Sequence, residues 1–309
     1  MAVSDTIRSL MRTGALICAA ALLWGGGAAM ASPPNVDNCT RCHDETEDYP
    51  VLSIFKTPHA AMSDERTGFA ELGCASCHGD VEAHLDDEDE PPQYTYGGME
   101  DSMTSVEKQN DGCLSCHEAD GHLAEWTGSN HEFGDVACVS CHAVHTEHEK
   151  VLDGLTQHQV CADCHIEQDH EMRRPSRHPV PDSEMTCSDC HEPHGSGAFV
   201  ADLNEPTLNE TCYTCHAEKR GPVLWEHLPV MEDCSSCHEP HGSVHRGLLE
   251  VRSPQLCQQC HQDEVFGDHA ARKHDGRNLD SGFVAGQGCL NCHSQIHGSN
   301  HPEGYEFRR

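Results

Sequence analysis

The chain has 309 residues, a formal net charge of −33, 5% aromatic residues and a mean hydropathy of −0.61. This balance excludes a nucleic-acid binder and a protein seated on anionic lipid, since both need clustered positive charge. It also excludes a conventional apolar core, and taken alone it describes an acidic chain that stays solvated and disordered.

Residues 1–31 read as a secretory signal peptide that is cleaved on export. Arg8 and Arg12 supply the positive start, and Ala15 to Leu23 form an apolar run too short for a comfortable membrane span. Ala29, Met30 and Ala31 form the small-residue cleavage motif. The two arginines are not adjacent, which argues against the twin-arginine route. Cys18 follows Ile17 without a lipoprotein cleavage box, so it is expected to leave with the signal. An uncleaved N-terminal anchor is the alternative. Export places the remaining chain in the bacterial periplasm or beyond.

From residue 39 onward one pattern recurs, C-x-x-C-H. It is formed by Cys39, Cys42 and His43; Cys74, Cys77 and His78; Cys113, Cys116 and His117; Cys138, Cys141 and His142; and Cys161, Cys164 and His165. It continues with Cys187, Cys190 and His191; Cys212, Cys215 and His216; Cys234, Cys237 and His238; Cys257, Cys260 and His261; and Cys289, Cys292 and His293. These ten motifs use twenty of the 21 cysteines, leaving Cys18. A zinc ribbon or a set of disulfides would explain paired cysteines, but not a histidine after every pair. Covalent haem c attachment explains both: the thiols add to the two vinyl groups and the histidine binds iron. Ten covalently bound haems are therefore expected.

The intervening histidines arrange the motifs in five pairs. In each pair one histidine lies between the motifs and another follows the second: His59 and His84, His131 and His145, His178 and His194, His227 and His241, His274 and His297. These ten are the candidate second axial ligands. His194, three residues after His191, is too close to reach the opposite face of the same iron and is expected to serve a neighbouring haem. His122 and His148 are the nearest alternatives to His84 and His145. They and His158, His170, His245, His269 and His301 are read as surface groups or haem-propionate contacts.

The repeat divides the exported chain into five two-haem units, approximately 32–104, 105–152, 153–203, 204–250 and 251–309. Their first cysteines are separated by 74, 48, 51 and 45 residues. The first unit owes its length to Asp86 to Met103, which begins with DDEDEPP and reads as a solvated acidic loop. Short helices are expected at Val51 to Met62, Asn209 to Ala217 and Ser253 to Phe266, with turns at Pro193, Pro240 and Gly286 to Gly288. No alternating strand pattern is present. The expected fold class is mostly irregular with short α-helices, wrapped around an elongated haem chain, with little or no β structure. Haem faces stand in for the missing core, and each covalent and iron bond closes a loop.

An iron held by two histidines has no open position, so its chemistry is one-electron transfer at low potential. The alternative is a multihaem reductase of the nitrite or hydroxylamine type with one open iron. The chain has no C-x-x-C-K site and no shortage of second histidines, which disfavours it. A subunit of a cytochrome filament is a third reading that no feature supports.

The count of ten motifs, the signal and the elements CHEPHGS at Cys190 to Ser196 and Cys237 to Ser243, with CHSQIHGS at Cys292 to Ser299, resemble the DmsE/MtrA family of periplasmic decahaem c-type cytochromes. The resemblance covers essentially the whole exported chain. It implies an elongated haem wire docked in an outer-membrane β-barrel porin. It also implies electron exchange between periplasmic or inner-membrane cytochromes and an extracellular cytochrome, a terminal reductase such as dimethyl sulfoxide reductase, metal oxides or a ferrous iron donor.

Overall fold

The computed structural model describes residues 36–46, 49–64, 66–97, 102–197, 201–261 and 288–308. The signal peptide with Cys18, as well as His269 and His274, lies outside the described residues. The helices are α1 (Val36–Cys39), α2 (Phe69–Leu72), α3 (Ala75–His78), α4 (Glu82–Asp86), α5 (Val106–His117), α6 (Asn130–Phe133), α7 (Gln157–Ala162), α8 (Ile166–Met172), α9 (Leu208–Tyr213), α10 (Leu228–Glu232) and α11 (Gln255–Gln258). Only α5 reaches twelve residues. Among the described residues β pairing is confined to isolated bridges such as Ser176–Ser243 and His191–Leu203.

The expected helix at Val51 to Met62 is instead two 3₁₀ segments, Val51–Lys56 and Pro58–Ala60. Pro58 has no N–H to continue an α-helix, and Thr57 before it is extended, with φ −105° and ψ 159°. The second expected helix begins at Leu208 but stops at Tyr213 rather than Ala217. The third is helical only over Gln255–Gln258 and turns through 259–261; the rest of its expected span lies outside the described residues.

Each motif is one helical turn. The histidine N–H donates to the first cysteine carbonyl, as at His43 to Cys39 (3.0 Å), His142 to Cys138 (2.9 Å) and His238 to Cys234 (3.1 Å). An i to i+4 turn brings the first cysteine, the second and the histidine to one side of the backbone, as a single porphyrin requires.

Side-chain clamps set the two motifs of a unit beside one another. Asn110, three residues before Cys113, accepts from the Cys138 N–H at 2.9 Å and donates to the Val136 carbonyl at 3.1 Å. Asn209, three before Cys212, repeats this with the Cys234 N–H at 2.7 Å and the Val230 carbonyl at 3.1 Å. Gln157 holds the Ser188 N–H at 3.2 Å, and Ser253 holds the Cys289 N–H at 3.2 Å. Both asparagines are buried, so losing one would strand backbone groups at a cost of about 1–3 kcal/mol.

Apolar packing is sparse. Val36, Ile54, Ala60 and Phe69 form a small cluster with Met62, Cys74 and Val144 against it. Val144, from the second unit, thereby packs on the first. Between later units the contact is backbone to backbone. A Cβ on Gly242 would overlap the Glu171 carbonyl, and one on Gly195 would overlap that of Glu125. This close approach explains why the trailing histidines of both CHEPHGS elements are followed by glycine.

Candidate functional site

The histidine rings meet in pairs. His43 faces His84 with centroids 6.0 Å apart, His78 faces His145 at 6.4 Å, and His117 faces His59 at 6.0 Å. His142 faces His194 at 6.0 Å, His165 faces His131 at 6.1 Å, and His191 faces His241 at 6.1 Å. His216 faces His178 at 6.4 Å, His238 faces His297 at 6.1 Å, and His261 faces His227 at 6.3 Å. Every pair joins a motif histidine to one of the second set. His274, the one member of the second set not among these pairs, lies outside the described residues. Among the described residues, none of His122, His148, His158, His170, His245 and His301 faces another histidine ring; His158 Nε2 instead lies 3.1 Å from the Asp169 carboxylate, without hydrogen-bond geometry.

This spacing fits an iron between the rings. Two imidazole–metal bonds of about 2 Å, plus about 1 Å from each nitrogen to its ring centre, put trans imidazoles about 6 Å apart. The donor chemistry fits as well. An imidazole that binds iron through Nε2 must carry its proton on Nδ1, and a fixed Nδ1 partner selects that tautomer. His131 donates from Nδ1 to the Pro193 carbonyl at 2.7 Å, His178 to Pro240 at 2.7 Å and His145 to Val51 at 2.8 Å. His78 donates to Tyr94 at 3.0 Å, His191 to Ala201 at 2.7 Å and His238 to Gly247 at 2.8 Å. Burial lowers the pKa of His59, His78, His194, His227, His241 and His297, keeping them neutral as metal binding requires.

The thiols mark a path. The first cysteines of the two motifs in each expected unit lie near enough to perturb one another's thiols: Cys39 with Cys74, Cys113 with Cys138, Cys161 with Cys187, Cys212 with Cys234, and Cys257 with Cys289. These thiols stand where thioether sulfurs would be in the haem-loaded protein. Between the expected units, a neighbouring thiol helps burial raise the pKa of Cys113 (Cys77), Cys141 (Cys164), Cys190 (Cys212) and Cys237 (Cys257). Successive attachment sites are thus neighbours from Cys39 to Cys289, in chain order.

The acidic segment does more than solvate. It folds back so that His84 donates from Nδ1 to the Glu90 carbonyl at 2.6 Å, and Tyr94 N–H donates to the His78 carbonyl at 3.0 Å. His84, the ring that faces His43, is thereby held by the segment that directly follows it. Sequence reasoning missed Glu90, Asn110 and Asn209. The recurring asparagine three residues before Cys113 and Cys212 was the signal available for the last two.

Paired thiols with an adjacent histidine, opposed by a second histidine and repeated along the chain, define a multihaem c-type cytochrome. Family models agree. A doubled CXXCH motif matches residues 178–221 and 227–266, and a cytochrome c-type NrfB-like model matches residues 74–157. The chain is 47% identical to multiheme cytochrome MtrA of Shewanella baltica over 281 residues, covering 90% of this chain and 82% of that protein. It is 29% identical over 161 residues to cytochrome c-type protein NrfB of Haemophilus influenzae, covering 44% of this chain and 70% of that one. For NrfB of Escherichia coli the identity is 26% over 181 residues, covering 53% of this chain and 90% of the relative. The chain belongs to the MtrA family of multihaem cytochromes: it binds haem c covalently, and it is an electron carrier rather than an enzyme.

Proposed function

We propose that the chain holds ten haems, each iron between two histidines, and conducts electrons along them in chain order. Nine facing pairs are those given above, and the tenth joins His293 to His274. The observation that carries this reading is the crossing of the pairs between units. His59, of unit one, faces His117 of unit two, while His145 of unit two faces His78 of unit one. The same reciprocal exchange recurs at the next three boundaries. Each boundary would then be held by two iron-mediated links, and each haem kept at a fixed place relative to the next. Haem c would supply reversible one-electron exchange. The cysteines and the facing histidines would hold it in place and leave no position on its iron for a substrate.

The five-unit division is part of the same reading. The doubled-motif matches at 178–221 and 227–266 use another phase of the repeat, since each contains one complete facing pair, His178 with His216 and His227 with His261. The signal-like residues 1–31 and the charge of −33 favour a periplasmic location and docking partners with basic patches. Among the described residues no helix is long and apolar enough to cross a membrane. We infer an outer-membrane β-barrel porin as the partner that carries the chain across the membrane. Periplasmic or inner-membrane cytochromes would meet it on one side, and an extracellular cytochrome or terminal reductase on the other. Affinity capture from detergent-solubilised outer membranes should recover the chain with a β-barrel protein. Recovery solely as a free soluble monomer contradicts the barrel assignment.

A further inference from the structure

Among the facing pairs of the described residues, one has a carboxylate behind both rings. His142 donates from Nδ1 to Glu149 Oε2 at 2.8 Å. Across from it, His194 Nδ1 lies 3.3 Å from Glu192 Oε1, and the His194 backbone N–H donates to the same oxygen at 3.3 Å. Both rings of this pair therefore have carboxylate partners. Elsewhere the Nδ1 partners are backbone carbonyls, as at His78, His84, His131, His145, His178, His191, His238 and His293. His241 has a carboxylate, Glu171, at 3.4 Å, but its opposite ring, His191, is backed by the Ala201 carbonyl at 2.7 Å. Glu218 stands 3.8 Å from His216, beyond hydrogen-bond range.

A carboxylate behind an imidazole pulls the Nδ1 proton and makes Nε2 a stronger electron donor than a neutral carbonyl does. A stronger donor stabilises the oxidised metal, and hydrogen bonding behind the axial ligand is one of the levers that set a haem potential. Two carboxylates on opposite sides act in the same direction. Among the described residues, the ion-pair partners of Glu149 and Glu192 are the two histidines themselves, His142 and His194.

We propose that Glu149 and Glu192 are tuning residues that make the haem between His142 and His194 the lowest-potential step in the interior of the chain. The carboxylates act through the histidines and touch no iron. The inference rests on the ligand pairing proposed above, and it adds a function for two residues that the motif does not include. An interior low step would set the barrier to electron hopping in both directions, so these residues would govern the conduction rate without altering the haem count.

The test uses the haem-loaded chain. Glu149→Gln, Glu192→Gln and the double variant keep the shape of each side chain and remove its charge. Potentiometric titration followed by optical and EPR spectra should show one haem moving to higher potential. The reduction equilibrium of that haem should change roughly tenfold in the double variant, about 59 mV for one electron. Glu171→Gln should give a smaller shift at a different haem. His194→Ala separates the two levels of the argument. If it yields no high-spin iron, the ligand pairing is wrong. If it does yield one, yet the fully haem-loaded double variant titrates like the unaltered chain, the tuning inference alone fails. Should the double variant lose haem, each single variant still reports, with about half the shift expected.

Discussion

The chain without haem should not fold. Produced where haem attachment cannot occur, it is expected to show little helix by circular dichroism, no cooperative thermal transition and rapid proteolysis. The reason is arithmetic of burial. Only nine hydrophobic side chains are buried among the described residues, Val36, Ile54, Ala60, Phe69, Trp126, Ala137, Met172, Val180 and Leu203. At about 1.5–3 kcal/mol for each large side chain, they fall far short of the conformational entropy of ordering a chain of this length, about 1–2 kcal/mol per residue. The exposed apolar side chains point the same way. Phe133 is 81% exposed and Leu228 67%, and each lies within a few residues of a facing histidine. Porphyrin faces are the surfaces on which such groups would pack. A haem-free chain with a sharp, native-like melt would overturn this account of stability.

Removing one crossing ligand should have the second large effect. His194→Ala is expected to convert one iron in ten from low spin to high spin and to open it to small ligands such as carbon monoxide. It also cuts one of the two links between units two and three. The facing pair His142–His194 closes a loop of about fifty residues. Cross-links of that span are worth on the order of 4 kcal/mol in the chain-entropy account. The parallel link His131–His165 at the same boundary retains part of this, so a loss of a few kcal/mol is expected by denaturant titration. His158→Ala is the control. His158 lies beside the Asp169 carboxylate and, among the described residues, faces no second histidine, so its loss should leave the spin state untouched.

These two results draw on different levels of legibility. The attachment sites were readable because the chemistry demands fixed spacing: two thiols three residues apart and a histidine next to the second. The second histidines were visible as a candidate set, because position between and after paired motifs repeats. Their partners were not, since pairing depends on which loops lie against each other. His194 illustrates this. Its closeness to His191 ruled out one partner, but Gly195 against the Glu125 carbonyl is what places it opposite His142.

The acidic segment Asp86 to Met103 carried the wrong emphasis for a similar reason. Its composition describes a solvated loop, and residues 86–91 are indeed exposed. Its role lies in backbone carbonyls, Glu90 to His84 and Tyr94 to His78, which composition does not encode. The helix boundaries missed at Val51 to Met62 follow from Pro58. That residue was visible, and it breaks the pattern locally. Asn110 and Asn209 are polar residues in helices whose side chains satisfy a second motif rather than their own turn. A single helix gives no hint of that use.

The most direct measurement is low-temperature EPR of the oxidised, haem-loaded chain together with a pyridine haemochrome count. The account predicts ten haems per chain and low-spin signals alone, because every iron has histidine on both faces. Fewer haems, or a high-spin signal equal to one haem per chain, would contradict it and direct attention to whichever iron lacks its second histidine.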